Sequence, residues 1–381
     1  MNFPMLSLAL KMLMRDRVKY VMLVSGIALC TTLMTQQASV FCGLMMWTTG
    51  TVRNIGAPIW VMDAKVERAD DVVPMRSVEV ERVRSVEGVA WAVPLFWSIT
   101  QARLEDGSFQ SLQLVGLDAA TLMGRPPEMT SGSLEELRLP NAVIVDQVAV
   151  EKFRQKGLVL TIGTVFEMND VQARVVGIAK TARSFLGQPY VYTTYDRALE
   201  YTPGQRKRLS YVLAGPAPGL TNEEVALRIS KLDGLRARAV TDFFWETLWW
   251  YVKNTGIPIS FGTTIVLGAI VGIAIAGQTF YLFVYENLRF LAAFKAMGCR
   301  TRTLAAMVIC QSFFVSFLGY GLGTGLGAMF GNAVVDAGAP PVFIPWQLPV
   351  FIGCVILLVS FISSLIGLWK VTRLEAAVVF R

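Results

Sequence analysis

Four long stretches without a charged side chain constrain this sequence more than any other feature. They run from Tyr20 to Val52, Asn254 to Tyr285, Thr303 to Val335 and Ala337 to Trp369, about 32 or 33 residues each. About 20 apolar residues are enough for an α-helix to cross the hydrocarbon core of a bilayer. Because 54% of the chain is hydrophobic and only 17% is charged, the sequence predicts four membrane-spanning helices rather than a soluble fold.

The charges outside these stretches predict the topology. Eleven Lys and Arg residues, against three acidic ones, precede the first stretch, separate the second from the third, or follow the fourth. The long segment Thr48 to Lys253 is neutral, with 24 basic and 24 acidic residues. Since cytoplasmic loops carry the excess of Lys and Arg, we expect both termini in the cytoplasm and the long segment outside. The net charge of +7 thus belongs to short loops, and nucleic-acid binding is not expected.

The composition excludes several kinds of site. The chain has no histidine and no GxxxxGK[ST] phosphate loop, so we expect neither a Ser-His-Asp triad, nor a His-ligated metal, nor ATP hydrolysis by this chain alone. The segment from Thr48 to Lys253 has no cysteine, which excludes a disulfide framework there. Its turn carboxylates Asp106, Asp118, Asp146 and Asp170 are scattered, and we predict no catalytic and no metal-binding residue.

The predicted fold class is a membrane protein with four transmembrane α-helices and a large extracytoplasmic α+β domain inserted between helices 1 and 2. A cleaved signal peptide is the alternative for the first helix, but no small-x-small site follows it and Phe41 precedes Cys42. The predicted segments are 1–17 (cytoplasmic, amphipathic), 18–47 (helix 1), 48–253 (outer domain), 254–285 (helix 2), 286–302 (cytoplasmic coupling helix and loop), 303–335 (helix 3), 336–346 (short outer loop), 347–369 (helix 4) and 370–381 (cytoplasmic tail).

The outer domain has a mixed pattern of strands and helices. Strands are predicted from alternation and β-branched content, helices from apolar residues three and four apart, and a hairpin from the Asp-Gly turn at Asp106 and Gly107. We interpret Arg125 to Pro140, which is dense in turn residues, as a subdomain boundary. The predicted strands are 59–66, 89–104, 109–117, 142–145, 158–168, 173–179 and 190–194, and the predicted helices are 77–86 and 221–232, the latter capped by Thr221 or Asn222.

Aromatic residues cluster just before the second span, at Phe243, Phe244, Trp245, Trp249, Trp250 and Tyr251. Aromatic side chains concentrate where a membrane protein passes between lipid and water. We therefore interpret the cluster as an interfacial belt, with a contact to lipid or to a partner as the alternative.

Small residues recur at helical spacing within two of the spans. Helix 3 has Gly319, Gly323, Gly327 and Gly331, each four residues after the last, and helix 2 has Gly268 and Gly272 followed by Ala276. Four residues is about one helical turn, so each set lies along one face and permits close approach of another helix. We predict tight helix packing at both faces. No Asp, Glu, Lys or Arg lies in any of the four charge-free stretches, which disfavours an ion-coupled carrier or a charged pore.

A short amphipathic helix is predicted between helices 2 and 3, within Glu286 to Arg302. Its expected residues run from Asn287, through Phe290, Leu291, Phe294 and Lys295, to Met297, with Gly298 as the C-cap. From the pattern alone, this helix could lie on the lipid surface or dock into a groove on a partner.

Several stretches make the chain similar to a known family. It resembles the FtsX/MacB/LolC superfamily of ABC transporter permeases, and most closely the DevC-type permeases named for heterocyst glycolipid export. The stretches that carry this resemblance are RDRVKY (15–20), IWV (59–61), NTGIPISFGTT (254–264), GQTFYLFVYENL (277–288), FKAMG (294–298) and LEAAVVFR (374–381).

The resemblance implies a homodimeric, non-catalytic permease of the bacterial inner membrane. Its cytoplasmic helix 287–298 would contact a separate ATPase subunit, which would bind the ATP. Its periplasmic domain would meet an adaptor protein and, through it, an outer-membrane channel. The expected function is to transmit ATPase motion across the membrane and extrude an amphiphile such as a glycolipid, lipid or hydrophobic drug. The alternatives are an FtsX-like signalling protein that controls an outer enzyme, and a membrane-tethered binding domain without an ATPase.

Overall fold

The computed structural model describes residues 11–15, 17–104, 107–204, 209–336 and 341–372. The chain divides into two units, one of residues 1–44 with 255–381 and the other of residues 45–254. Parts of the predicted terminal segments 1–17 and 370–381, of the 336–346 loop and of the turn at Asp106 lie outside the described residues, as does the 374–381 stretch.

The α-helices are α1 Arg17–Thr48, α2 Gly50–Ile55, α3 Glu79–Arg84, α4 Gln147–Gln155, α5 Tyr195–Glu200, α6 Asn222–Ile229, α7 Val240–Asn254, α8 Ile257–Glu286, α9 Leu288–Ala296, α10 Thr301–Asp336 and α11 Gln347–Thr372.

Four of these helices, α1, α8, α10 and α11, are long and apolar enough to cross a membrane. Each of them overlaps one charge-free stretch, and their ends lie within about three residues of the ends of the predicted spans. With 32, 30, 36 and 26 residues at about 1.5 Å per residue, all four are longer than the roughly 30 Å hydrocarbon core. Each of them can therefore tilt or continue beyond the bilayer.

The membrane unit has one apolar core shared by the long helices. Its fully buried side chains include Ile27 on α1, Phe280 on α8, Val315 on α10 and Ile352 on α11. Helix α11 packs against both α8 and α10. Because lipid tails are as apolar as leucine, burial alone does not hold such helices together, and close packing and interhelical hydrogen bonds must do so.

The outer unit, residues 45–254, is built on a ten-stranded mixed sheet. The strands are β1 Ile59–Asp63, β2 Val89–Arg103, β3 Phe109–Leu117, β4 Glu128–Gly132, β5 Ala142–Asp146, β6 Val165–Met168, β7 Val171–Lys180, β8 Tyr190–Thr194, β9 Tyr211–Pro216 and β10 Leu235–Ala239. Their order in the sheet is β10-β1-β9-β2-β3-β8-β5-β7-β4, with β6 pairing β2 and β7. Strands β3 and β8 run parallel, as do β5 and β7. The first of these strands, β1, lies antiparallel beside the last, β10.

Two local predictions for this unit are wrong. The predicted strand 158–168 is extended only at Val165–Met168, because Gly163, with φ of +94°, turns the chain just before it. The predicted boundary 125–140 contains β4, which pairs antiparallel with β7 in the same sheet. Its turn-rich composition therefore belongs to an edge strand and a 3-10 helix at Glu135–Arg138, and not to a linker.

Side-chain caps start two of the helices. Thr221 accepts a hydrogen bond from the Glu224 amide while the Glu224 carboxylate accepts one from the Thr221 amide, which forms a capping box for α6. Asp146 begins α4 by accepting from the Ala149 amide at 2.7 Å. The Asp146 carboxylate is buried and also accepts from the Tyr190 amide and the Thr181 hydroxyl. Burial raises its pKa to about 6, although these hydrogen bonds lower it.

The aromatic cluster before the second span forms helix α7, and its side chains divide between two environments. Phe243 is fully buried in the domain core, where its ring centroid lies 5.4 Å from that of Trp60. Tyr251 is also buried, whereas Trp245 and Trp249 are 55% and 52% exposed. The interpretation of the whole cluster as an interfacial belt is therefore wrong for Phe243 and Tyr251, which belong to the folded domain.

Candidate functional site

The short helix α9, Leu288–Ala296, connects two long apolar helices of the membrane unit. Asn287 lies between α8 and α9, where its side-chain amide donates to the Phe283 carbonyl at 2.8 Å. Gly298 ends the turn after α9 with φ of +92°, a conformation that favours glycine. Its amide donates to the Lys295 carbonyl at 3.0 Å. The sequence places the helix at Asn287 to Met297, and both of these residues are caps in the structure.

The apolar side chains of α9 lie on two sides of the helix. Leu291 and Ala292 are buried in the core of the membrane unit, and Phe294 is partly buried against that core. By contrast, Phe290 is 50% exposed and Met297 is 74% exposed. The sequence groups Phe290, Leu291, Phe294 and Met297 on one face, but only part of that set faces outward. One side of α9 is therefore anchored in the bundle while Phe290 and Met297 are available for another contact.

Basic residues lie on and near this helix in the sequence, and one of them contacts its exposed side. The Arg15 guanidinium lies 5.7 Å from the centre of the Phe290 ring, a distance typical of a cation–π contact. Arg289, Arg300 and Arg302 are exposed. At the end of α8, Glu286 forms an ion pair with Lys19. This surface, with two apolar side chains among cations, has the chemistry to contact a groove with an acidic rim or an anionic lipid surface.

The glycines of α10 lie against α1 and the segment before α11. A Cβ atom built on Gly319 would lie 2.7 Å from Ile27, and one on Gly323 would lie 2.5 Å from Thr31. Gly327 would meet Thr35 at 3.0 Å. These distances are shorter than ordinary carbon contacts, so the absence of a side chain sets the separation of the helices. Two further predicted glycines make contacts of this kind: Gly331 with Val342 at 2.8 Å and, on α8, Gly272 with Cys30 at 2.5 Å.

Gly268 on α8 has a looser environment, because its Cβ would lie 3.3 Å from Met34. The Cys30 thiol donates to the Gly268 carbonyl at 3.1 Å. On the neighbouring pair of helices, the Thr32 hydroxyl is 3.2 Å from the Gly323 carbonyl, besides its bond to its own helix. Polar side chains of α1 thus contact the backbone that the glycines leave accessible.

Serine contacts between α10 and α11 were not anticipated from the sequence. The Ser312 hydroxyl donates to the Ser360 carbonyl at 2.8 Å, and the Ser316 and Ser360 hydroxyls are hydrogen-bonded to each other. Ser312 and Ser316 are four residues apart, so they share one helix face. The same spacing rule that identifies the glycine face would have identified them had serine been counted as a small residue.

In the described part of the chain, no group of three or more His, Cys, Asp or Glu side chains could hold a metal ion.

Comparison with known protein families matches both units. Residues 21–232 match the family described as MacB-like periplasmic core domain, and residues 259–376 match the FtsX-like permease C-terminal family. Two proteins of Mycobacterium tuberculosis, Uncharacterized ABC transporter permease MT0078 (strain CDC 1551 / Oshkosh) and Rv0072 (strain ATCC 25618 / H37Rv), are each 26% identical over 313 residues, 81% of this chain and 79% of theirs.

Among solved structures, the extracellular domain of the noncanonic ABC-type transporter YknZ from Gram-positive bacteria is 15% identical and has a TM-score of 0.35, covering 48% of this chain and 98% of that one. The periplasmic region of MacB from Actinobacillus actinomycetemcomitans is 11% identical and has a TM-score of 0.37, covering 53% of this chain and 95% of that one.

Proposed function

The chain belongs to the family of ABC transporter permeases that have a MacB-like periplasmic core domain and an FtsX-like C-terminal region, and on that premise we propose that it transmits ATPase motion across the inner membrane to extrude an amphiphile. An ABC transporter permease works with an ATPase subunit, and we propose that ATP binds to that subunit only. The proposed substrate class is a glycolipid, another lipid or a hydrophobic drug, as in the DevC-type permeases that the sequence resembles.

The absence of Asp, Glu, Lys and Arg from the four charge-free stretches supports transmission of motion rather than conduction through the membrane. A hydrophilic substrate that crossed between these helices would leave polar groups without partners in a low-dielectric environment. In the proposed mechanism the amphiphile is instead taken up and released on the outer side. A periplasmic adaptor would receive it and pass it to an outer-membrane channel, and two copies of the permease would form the complex.

The single observation that carries the coupling proposal is the two-sided packing of α9. A helix that transmits force needs one side fixed in the moving part and another side free for the ATPase. Leu291 and Ala292 supply the fixed side, and Phe290 and Met297 supply the free side. The proposed coupling element comprises Asn287, Phe290, Leu291, Phe294, Lys295, Met297 and Gly298.

A variant with Phe290→Ala and Met297→Ala tests this role. Both side chains are largely exposed, so the permease should fold normally, whereas loss of two anchors of an interface costs roughly 2 kcal/mol or more per hot spot. We expect ATPase subunits to be lost when the tagged permease is purified from its native host, together with the ATP hydrolysis of the complex. Phe317→Ala is the matched control, because Phe317 is 74% exposed on the long apolar helix α10.

Retention of full ATPase association by the double variant would contradict the coupling role. If the variant instead loses binding to vesicles of anionic lipid while it keeps the ATPase, α9 is a lipid-surface element. Phe294 is unsuitable for this test since it is partly buried against the bundle core, and its removal would change stability as well.

Orientation and substrate each have a direct test. Reporter fusions after Gly107 and Gly204 should be extracytoplasmic and a fusion after Gly298 cytoplasmic; a cytoplasmic reporter at Gly107 would contradict the proposed topology.

Mass spectrometry of lipids that copurify with the permease and its ATPase should find an enriched amphiphile. Copurification of an outer enzyme with no enriched lipid would favour the FtsX-like signalling function instead.

A further inference from the structure

Helix α2, Gly50–Ile55, is buried except at Arg53, although four of its six residues are polar or glycine. It follows α1 after the single residue Thr49 and is the first element of the outer unit after that helix. Thr51 and Asn54 are each only 2% exposed. Burying a hydroxyl and an amide costs free energy unless both find hydrogen-bond partners. The contacts of this helix therefore indicate a specific attachment.

The loop 181–187 provides the first set of partners. The Asn54 amide donates to the Ala182 carbonyl at 2.8 Å and its carbonyl accepts from the Ala182 amide at 2.7 Å. The Arg183 carbonyl passes so close to Gly50 that a Cβ atom there would lie 2.4 Å from its oxygen. The ring of Phe185, in the same loop, lies 4.8 Å from that of Tyr251 on α7. This loop therefore contacts both the first and the last helix of the outer unit.

Asp70 joins the same two helices directly. One carboxylate oxygen accepts from the Thr51 hydroxyl of α2 at 3.1 Å, and the other accepts from the Tyr251 hydroxyl of α7 at 3.2 Å. The Thr51 hydroxyl is also 2.9 Å from that of Tyr190. Asp70 is partly buried, and this loss of solvent raises the pKa of its carboxyl. An acid that has lost solvent contributes little to stability by itself, so the specificity of its two hydroxyl contacts is the more informative property.

The residues just before Asp70 attach the same segment to α7. The Ala69 amide donates to the Thr247 hydroxyl at 3.2 Å, and the Trp250 indole donates to the Glu67 carboxylate at 2.7 Å. The Arg68 guanidinium lies 4.0 Å from the centre of the Trp250 ring. Four consecutive residues thus each contact α7, and the fourth, Asp70, also reaches α2.

We infer that Asp70 is a positioning residue that fixes the chain arriving from the first membrane helix to the chain leaving toward the second. Helix α2 begins two residues after α1 ends, and α8 begins three residues after α7 ends. These two connections are the points at which motion in the membrane can enter the outer domain. Because Asp70 joins α2 to α7, the two connections move as one rigid body, and displacement of either connection displaces both. The use of this rigidity in transport rests on the proposed function, whereas the rigidity itself does not.

Hydrogen exchange of the full-length permease in detergent tests the connection. Thr51→Val and Tyr251→Phe each remove one hydroxyl while keeping the shape of the side chain. If Asp70 joins the helices, Tyr251→Phe should accelerate exchange in α2 as well as in α7, and Thr51→Val should accelerate it in α7 as well as in α2. Hydrogen bonds to charged groups correspond to accelerations on the order of ten-fold or more in amides that exchange by this local opening. Asp71→Ala, at the exposed neighbouring acid, should change neither segment.

Acceleration confined to the helix that carries each substitution would overturn the inference, because the two helices would then be anchored independently. Asp70→Ala should accelerate exchange in both helices at once, and its failure to do so would overturn the inference equally. These measurements need neither ATPase nor substrate. Cross-acceleration in a permease that exports nothing would uphold the positioning role of Asp70 and contradict the proposed export function, so the two failures are distinguishable.

Discussion

Replacing Gly323 by alanine should separate two membrane helices, and the same change at Gly325 should not. Both glycines lie on α10, two residues apart. An added Cβ at Gly323 would lie 2.5 Å from the Cβ of Thr31 and 2.6 Å from the Ala28 carbonyl oxygen, while one at Gly325 would meet nothing within 4 Å. The pair therefore separates the effect of close packing from the effect of the substitution itself.

The expected magnitude follows from these distances. Ordinary carbon contacts begin near 3.4 Å, so α1 and α10 must move apart by about 0.9 Å to admit the Gly323→Ala methyl group. The atoms it meets are a backbone carbonyl and a β-branched carbon, neither of which can rotate away, and overpacking of this kind costs about 1–3 kcal/mol. Alanine also favours the helix over glycine by about 1 kcal/mol at both positions. Gly325→Ala should therefore be neutral or stabilising, and Gly323→Ala should be less stable than it by about 1–3 kcal/mol.

Thermal unfolding of the two variants in detergent, followed together with oligomer size by chromatography, measures this difference. Gly323→Leu and Gly327→Leu should extend it to loss of assembly or of the folded bundle. Equal melting temperatures for Gly323→Ala and Gly325→Ala would refute the reasoning, since the glycine face would then be in contact only with lipid.

Two further predictions concern the outer domain. The pKa of Asp146 is raised from 3.8 to about 6 in the folded protein. Between about pH 4 and pH 6 the folded protein therefore binds a proton at Asp146 that the unfolded chain does not bind. The free energy of unfolding should rise by up to about 3 kcal/mol as the pH falls through this window, and this gain should be lost as the pH rises again. Denaturant titrations at stepped pH should show this slope in the wild type and not in Asp146→Asn. Gly50→Ala should displace the Arg183 carbonyl and lower stability by about 1–3 kcal/mol in thermal melts, whereas Gly204→Ala, with nothing within 4 Å, should not.

The membrane spans could be predicted closely because a single strong constraint determines them. A charged group in the hydrocarbon core is costly, so the charge-free stretches locate the apolar helices, and the ends of the predicted spans lie within about three residues of the helix ends. The helices α4 and α7 were not predicted, because their apolar residues are few or are mixed with aromatics that also suit an interface. Phe243 and Tyr251 show why, since a side chain buried in a domain core and one at a lipid surface leave the same local pattern.

The candidate coupling helix illustrates the limit of periodicity in another way. The spacing of Phe290, Leu291 and Met297 predicts an apolar face but cannot divide it between two neighbours. Whether a residue of that face is buried by its own bundle or exposed for a partner depends on the crossing angle of the adjacent helices, which is a tertiary property. Only the contacts of Leu291 and Ala292 resolve this division.

The pairing of the outer unit's first and last strands has an evolutionary consequence. Ile59 to Asp63 lie in register with Ala239 to Leu235, so the chain begins and finishes the sheet side by side. A domain whose two ends are adjacent can be exchanged for another with similar spacing while the membrane helices keep their sequence and connections. Recombination at this pair of strands would give one membrane scaffold a succession of different outer domains, so that the specificity of a permease could change in a single genetic event.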